Sequence, residues 1–240
     1  MKKGFTLAEV LITLGIIGVV AAMTMPTLIQ NHQKRSLEVA TQKFYSMMSQ
    51  AVRQYMADEG VDDLRNTPLA SDNYGNDNLS TPEAIASIRN FVTKYLKVVK
   101  ECDHDANNCF APEYKAWNGD EPEYNFTDEA NWDSRRDYVL ADGSVIRIGF
   151  CFNRQPISLY VDINGKKGPN RVGYDLWSMS IFYDGVIDEG LVGPESRRGE
   201  IGWDGTPQEE RQYRFDEACK FGFYGGCFGH FLENNFKFDY

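Results

Sequence analysis

Hydrophobic and polar positions change rhythm three times along this chain. Residues 5–25 are mostly apolar and carry no charge apart from Glu9, with Lys2 and Lys3 in front of them. A run of that length is enough to cross a bilayer as a helix. Beyond it, Leu37, Ala40, Phe44, Met48, Ala51 and Tyr55 recur at spacings of three and four. That spacing marks one apolar face of an amphipathic helix. Gln33, Lys34, Arg35, Glu38 and Gln42 fill other positions. Together the two patterns predict a single helix over residues 5–58, roughly 80 Å long if continuous at 1.5 Å per residue, stopped by Gly60. Pro26 falls inside it, lacks an N–H, and is the expected point of a kink.

Residues 60–80 are rich in Asp, Asn, Ser and Gly and read as a loop. Thr81-Pro82-Glu83 opens a second helix, whose face is Ile85, Ile88, Val92, Tyr95, Leu96 and Val99. It is expected to end near Glu101. Residues 102–132 form an aromatic-rich connection with no regular pattern. From Asp137 the period becomes two. Strands over 138–142 and 145–150 flank Asp142-Gly143, a strong hairpin signal. Further strands are expected over 158–163 and 178–183, the last turning at Asp184-Gly185. The tail from Glu209 carries a short helical or turn segment around Cys219 and a last strand near Phe236-Lys237-Phe238. The fold class is therefore α+β, a long N-terminal helix packed on a short antiparallel sheet.

Glu9 needs an explanation. A carboxylate inside an apolar span costs on the order of a few kcal/mol unless something compensates it. An ordinary signal peptide is a poor fit, because Ala21-Ala22-Met23-Thr24-Met25 is a weak cleavage site. An ordinary signal anchor, oriented by Lys2 and Lys3, has no need of Glu9. The start Lys3-Gly4-Phe5-Thr6-Leu7, with Glu9 and the run from Val10 to Ala22, resembles the type IV prepilin signature of type IV pilins and type II secretion pseudopilins. The resemblance is close over about the first 30 residues and looser over the next 30. It implies that a prepilin peptidase cuts between Gly4 and Phe5 and that Phe5 becomes N-methylated. It also implies that Glu9 registers subunits during assembly. The chain then divides into a leader (1–4), the long helix (5–58, with 5–25 in the membrane or filament core) and an exported pilin-like domain (59–240). Implied partners are other pilin subunits, the peptidase, an inner-membrane assembly platform and membrane lipid. The implied location is the bacterial cytoplasmic membrane, single-pass, and then a periplasmic or cell-surface filament.

Composition adds limits. At 240 residues, with 15 phenylalanines and 13 tyrosines, the chain has room for an anchor and one packed domain. Its net charge is −10, which disfavours direct binding to nucleic acid. Five cysteines follow an export signal and read as disulfide partners. Local pairing, Cys102 with Cys109 and Cys219 with Cys227, is the simplest connectivity, though spacing alone does not fix it. Cys151 is then a buried free thiol, with an altered pairing as the rival.

No catalytic constellation stands out, so no enzyme is expected. His32, His104 and His230 fit no metal spacing. The loop from Asp162 to Asn170 offers hard oxygens. Asp162, Asn164 and a backbone carbonyl, completed by Asp175 or Asp142, could begin a calcium site, calcium being the one cofactor in view. The competing reading is a tight turn using Asn and Gly. The function expected is a structural subunit, a minor one, of a type II secretion pseudopilus or type IV pilus. The alternatives are a competence pilin for DNA uptake and a membrane-tethered binding domain that does not polymerise.

Overall fold

The computed structural model describes residues 6–69, 82–102, 109–122, 135–150, 157–189, 206–223 and 225–240. Helix α1, Leu7–Glu59, runs through Pro26 without a break. It ends at Gly60, whose φ of 69° is a left-handed position strained for a side chain. Helix α2 is Pro82–Tyr95. The strands are β1 Val98–Cys102, β2 Arg136–Leu140, β3 Val145–Gly149, β4 Ile157–Asp162, β5 Leu176–Ile181 and β6 Ile187–Asp188. Helices α3, Pro207–Glu217, and α4, Cys227–Glu233, follow. The strands pair in chain order as an antiparallel meander. The α+β architecture and the long N-terminal helix are those the sequence predicts.

Three expectations change. The second helix stops at Tyr95, not near Glu101, and Val98–Cys102 is an edge strand. Val98 and Val99 are β-branched and stiff at χ1, and β2 offers a ladder with Val98 opposite Leu140 and Cys102 opposite Asp137. The tail holds a three-turn helix, α3, whose start is a capping box between Thr206 and Glu209 with Pro207 at its first position. Residues 236–238 form no strand. Asn235 and Phe236 turn the chain with positive φ, and the tail packs instead through its aromatic rings.

The sheet is covered on both faces, so all five residues of β3 are buried. On one face, Phe44, Met48, Val52 and Met56 of α1 join the core that α2 and α4 complete. Tyr55 of α1 meets Phe91 of α2 edge-on at 5.5 Å, and Trp177 of β5 lies 4.6 Å from Phe231 of α4. The other face is closed by residues 109–122. There Arg147 makes a buried two-pronged ion pair with Asp137 across β2 and β3 at 2.9 and 3.0 Å, under the ring of Phe110. A buried pair of this kind is tolerated because each oxygen of the Asp137 carboxylate takes its own bond from the Arg147 guanidinium.

Candidate functional site

The N-terminal end is built around a capping box. Thr6 donates its N–H and its hydroxyl to Oε2 of Glu9, each at 2.8 Å, and the Glu9 N–H returns a bond to Oγ1 of Thr6 at 3.3 Å. Glu9 therefore folds back over the helix start, where the macrodipole also favours a negative charge. The Thr-x-x-Glu spacing announced this cap, and Thr6 is the residue the sequence reading did not single out. Gly4 and Phe5 lie outside the described residues. Inside the apolar run, Thr13 and Thr24 give their hydroxyls to the carbonyls of Val10 and Val20 at 2.9 Å. The side chains of this half meet no protein: Leu7 is 80% exposed and Leu28 73%. Among the described residues, one helix is long and apolar enough to cross a membrane, and its apolar window is wholly unburied. Pro26 sits near the end of this bare stretch.

The domain takes hold of α1 at Lys34. Lys34 Nζ donates to the main-chain oxygen of Tyr240 at 2.6 Å and stands 5.7 Å over the ring of Tyr174. Glu38, buried, accepts from Lys237 Nζ at 2.8 Å and from the Phe238 N–H at 3.0 Å. Phe238 stacks on Tyr174, and the Tyr240 hydroxyl donates to the carbonyl of Gly173 at 2.6 Å. Residues 236–240 thus strap the domain to the helix where lipid-type side chains give way to core.

Asp162 closes β4 and Asp175 precedes β5, so the two carboxyls frame the loop between them. Both are fully buried. Asp162 accepts a short bond from the Tyr114 hydroxyl and a 3.1 Å bond from the Asn164 N–H. Asp175 accepts from the N–H groups of Asn170 and Arg171 at 2.8 and 2.6 Å. Burial, then the charge of Asp175, raises the Asp162 carboxyl to about 8. Burial raises Asp175 to about 6, against the pull of those backbone bonds. The side-chain oxygens of Asn164 and Asn170 are buried without a hydrogen-bond partner. Asp142 is bonded instead to the N–H and hydroxyl of Ser144 in the β2–β3 turn. Two carboxylates and two amide oxygens suit calcium by type. Among the described residues, no group of three or more His, Cys, Asp or Glu converges.

Disulfides join Cys102 to Cys109 and Cys219 to Cys227, with Cα atoms 6.3 and 5.0 Å apart. The first ties the end of β1 to the segment covering the sheet. The second ties the turn after α3 to the start of α4. Next to it, Gly226 has a φ of 87°, and a Cβ there would fall 2.2 Å from the carbonyl oxygen of Arg214, so this position admits no side chain. Cys151 lies outside the described residues.

Comparison with known proteins gives two matches. A family described as "Family of unknown function (DUF6613)" matches residues 27–168. A family described as "Prokaryotic N-terminal methylation motif" matches residues 1–25. No curated protein and no solved structure matches.

Proposed function

We infer the function from two facts: the chain belongs to the Family of unknown function (DUF6613), and it opens on the prokaryotic N-terminal methylation motif of type IV prepilins. It is a subunit of pilin or pseudopilin type, anchored by its N-terminal helix. Our finer reading is a minor subunit of a type II secretion pseudopilus or type IV pilus, a structural protein and not an enzyme. In this reading prepilin peptidase removes residues 1–4, Phe5 is methylated, and residues 5–58 carry the exported domain 59–240 into a filament. The observation that carries it is the junction of that motif with a helix bare in its first half and packed in its second.

Glu9 is the assembly residue in this reading. In the monomer its carboxylate is satisfied by Thr6. In a filament it would leave that cap for the α-amine of a neighbour, a charge pair that lipid would strengthen. Mass spectrometry of the native amino terminus tests processing. The expected mature chain begins with N-methylated Phe5, and recovery of Lys2 and Lys3 on filament-associated protein would falsify the reading. Glu9→Val tests assembly. The variant is expected to insert, be processed and stay out of filaments. Wild-type incorporation would remove Glu9 from the mechanism.

The loop between β4 and β5 supports calcium as an ancillary ligand, because the oxygens of Asn164 and Asn170 lack partners beside Asp162 and Asp175. Its role would be to stiffen the loop on which Tyr174 and Gly173 receive the tail.

A further inference from the structure

We propose that the anchor-proximal end of the globular domain is a cationic collar that docks on anionic phospholipid headgroups of the leaflet from which α1 emerges. The proposal rests on the membrane-anchor reading above and names the partner of the surface beside it. The last large apolar residue of the bare half is Ile29, 56% exposed. Lys34 and Arg35 follow five and six residues later, about 8 Å along the axis at 1.5 Å per residue. The headgroup layer is roughly that deep on each side of a bilayer.

Four more cations gather at this end. Lys43 and Arg35 line one groove with Asp142, Ser144 and Ile163. The β2–β3 turn in that groove touches the β4–β5 loop, since a Cβ on Gly165 would lie 3.2 Å from the Gly143 carbonyl oxygen. Lys166 and Lys167 follow Gly165, both exposed. Lys237 sits on Glu38 with its side chain 64% exposed.

The acids of this end are already engaged. Glu38 is buried and bonded to Lys237 and the Phe238 N–H. Asp142 is bonded to Ser144. Asp239 is bonded to His230 and Asn234. Asp162 and Asp175 are buried. Among the described residues, six cations therefore gather at this end, Lys34 and Lys237 already bonded to Tyr240 and Glu38, against two carboxylates at the surface, Asp142 and Asp239, in a chain of net charge −10. An anionic leaflet repels the rest of such a domain and attracts this end alone, within about a Debye length of 10 Å. The expected result is an upright, docked subunit ahead of assembly.

The test uses the full-length chain in vesicles of phosphatidylcholine, with or without phosphatidylglycerol. A nitroxide on Ser36→Cys, in a Cys151→Ser background, reports collisions with a water-soluble relaxant. Each cation close to an anionic leaflet is worth about fivefold in partitioning. Collisions are therefore expected to fall several-fold when phosphatidylglycerol is present and to recover at raised salt. They are also expected to recover in the combined variant Arg35→Gln, Lys43→Gln, Lys166→Gln, Lys167→Gln. Flotation with neutral vesicles reports the anchor separately. Equal collision rates in both lipids with flotation intact overturn the collar and leave the anchor standing. Failure to float overturns both. Protection that appears in neutral vesicles and grows with protein density assigns the surface to a second copy, and overturns the lipid proposal.

Discussion

The two halves of α1 share one backbone hydrogen-bond ladder and differ in everything their side chains touch. From Leu7 to Ile29 the helix presents Leu, Ile and Val in every direction and meets no protein. From Leu37 to Met56 it is amphipathic, with Phe44, Met48 and Val52 at or below 1% exposure and Gln42, Lys43 and Gln50 outside. A helix apolar all round is one whose solvent is itself apolar, and a helix with a stripe is one that borrows a core. Here both kinds follow each other on one rod, and the change falls where Lys34 and Glu38 receive the tail. The lesson is that a rigid helix can belong to two solvents at once if the boundary is marked by polar groups with fixed partners.

The sharpest way to break that comparison is to cut equal side chains from each half. Phe44→Ala removes a buried ring and is expected to cost about 3–5 kcal/mol of domain stability. Leu11→Ala is expected to move it by no more than about 0.5 kcal/mol, as for a surface position. Urea denaturation of the full chain in detergent, followed by tryptophan fluorescence, to which buried Trp177 contributes, measures both. A loss from Leu11→Ala comparable to that from Phe44→Ala would mean that the bare half packs on the domain after all.

A smaller effect comes from the loop that receives the tail. Asp162 and Asp175 are raised above the ordinary carboxylate range, mainly by burial. A carboxyl that holds its proton more tightly when folded stabilises the fold below its unfolded value, and that stability is lost as pH rises through the folded value. The relevant window runs from about 4 to about 8. Asp216 and Asp239 are shifted the other way, the first by bonds from Gln212 and Lys220, the second, against the upward push of burial, by His230 and Asn234 together. They withdraw stability below about pH 4. The melting temperature is therefore expected to rise as pH falls from 8 to about 5, and Asp162→Asn is expected to flatten that rise. Calcium added at pH 8 should raise the melting temperature of the wild type and leave Asp162→Asn unmoved. No response from either chain would remove calcium from the account.

Much of this was legible in the sequence, for reasons that differ by element. The striped half of α1 and strands β2 to β5 each have their own period, and Asp142-Gly143 marks the hairpin. The end of α2 was hidden because Leu96 and Val99 continue its helical spacing with no Gly or Pro between them, and only pairing with β2 makes Val98–Cys102 a strand. Helix α3 lacks an apolar stripe, since its buried residues are Glu210 and Phe215, so only its capping box could have announced it. Asp162 and Asn164 stood out, with Asp175 or Asp142 to complete them, but Tyr114, 48 residues before Asp162, could not be placed beside them from spacing.

The smallest expected effect is at the start of the helix, and it decides what Glu9 is for. Thr6→Val keeps the span apolar and deletes the hydroxyl that both gives to the Glu9 carboxylate and takes from its N–H. The carboxylate keeps the Thr6 N–H. Losing an N-cap costs about 1 kcal/mol, felt within the first turn, so faster amide exchange at Ala8 and Glu9 in detergent micelles is the expected readout. The domain's stability should not change, because this turn touches none of it. For filament recruitment the two roles of Glu9 point in opposite directions. If Glu9 must leave its own cap to meet a neighbour's amine, a weaker cap lowers the cost of leaving, and Thr6→Val should enter filaments at least as readily as wild type. If Glu9 serves only to cap its own helix, Thr6→Val should resemble Glu9→Val and fail alongside it. Recruitment of Thr6→Val without Glu9→Val assigns Glu9 to the contact between subunits, and shared failure returns it to the monomer.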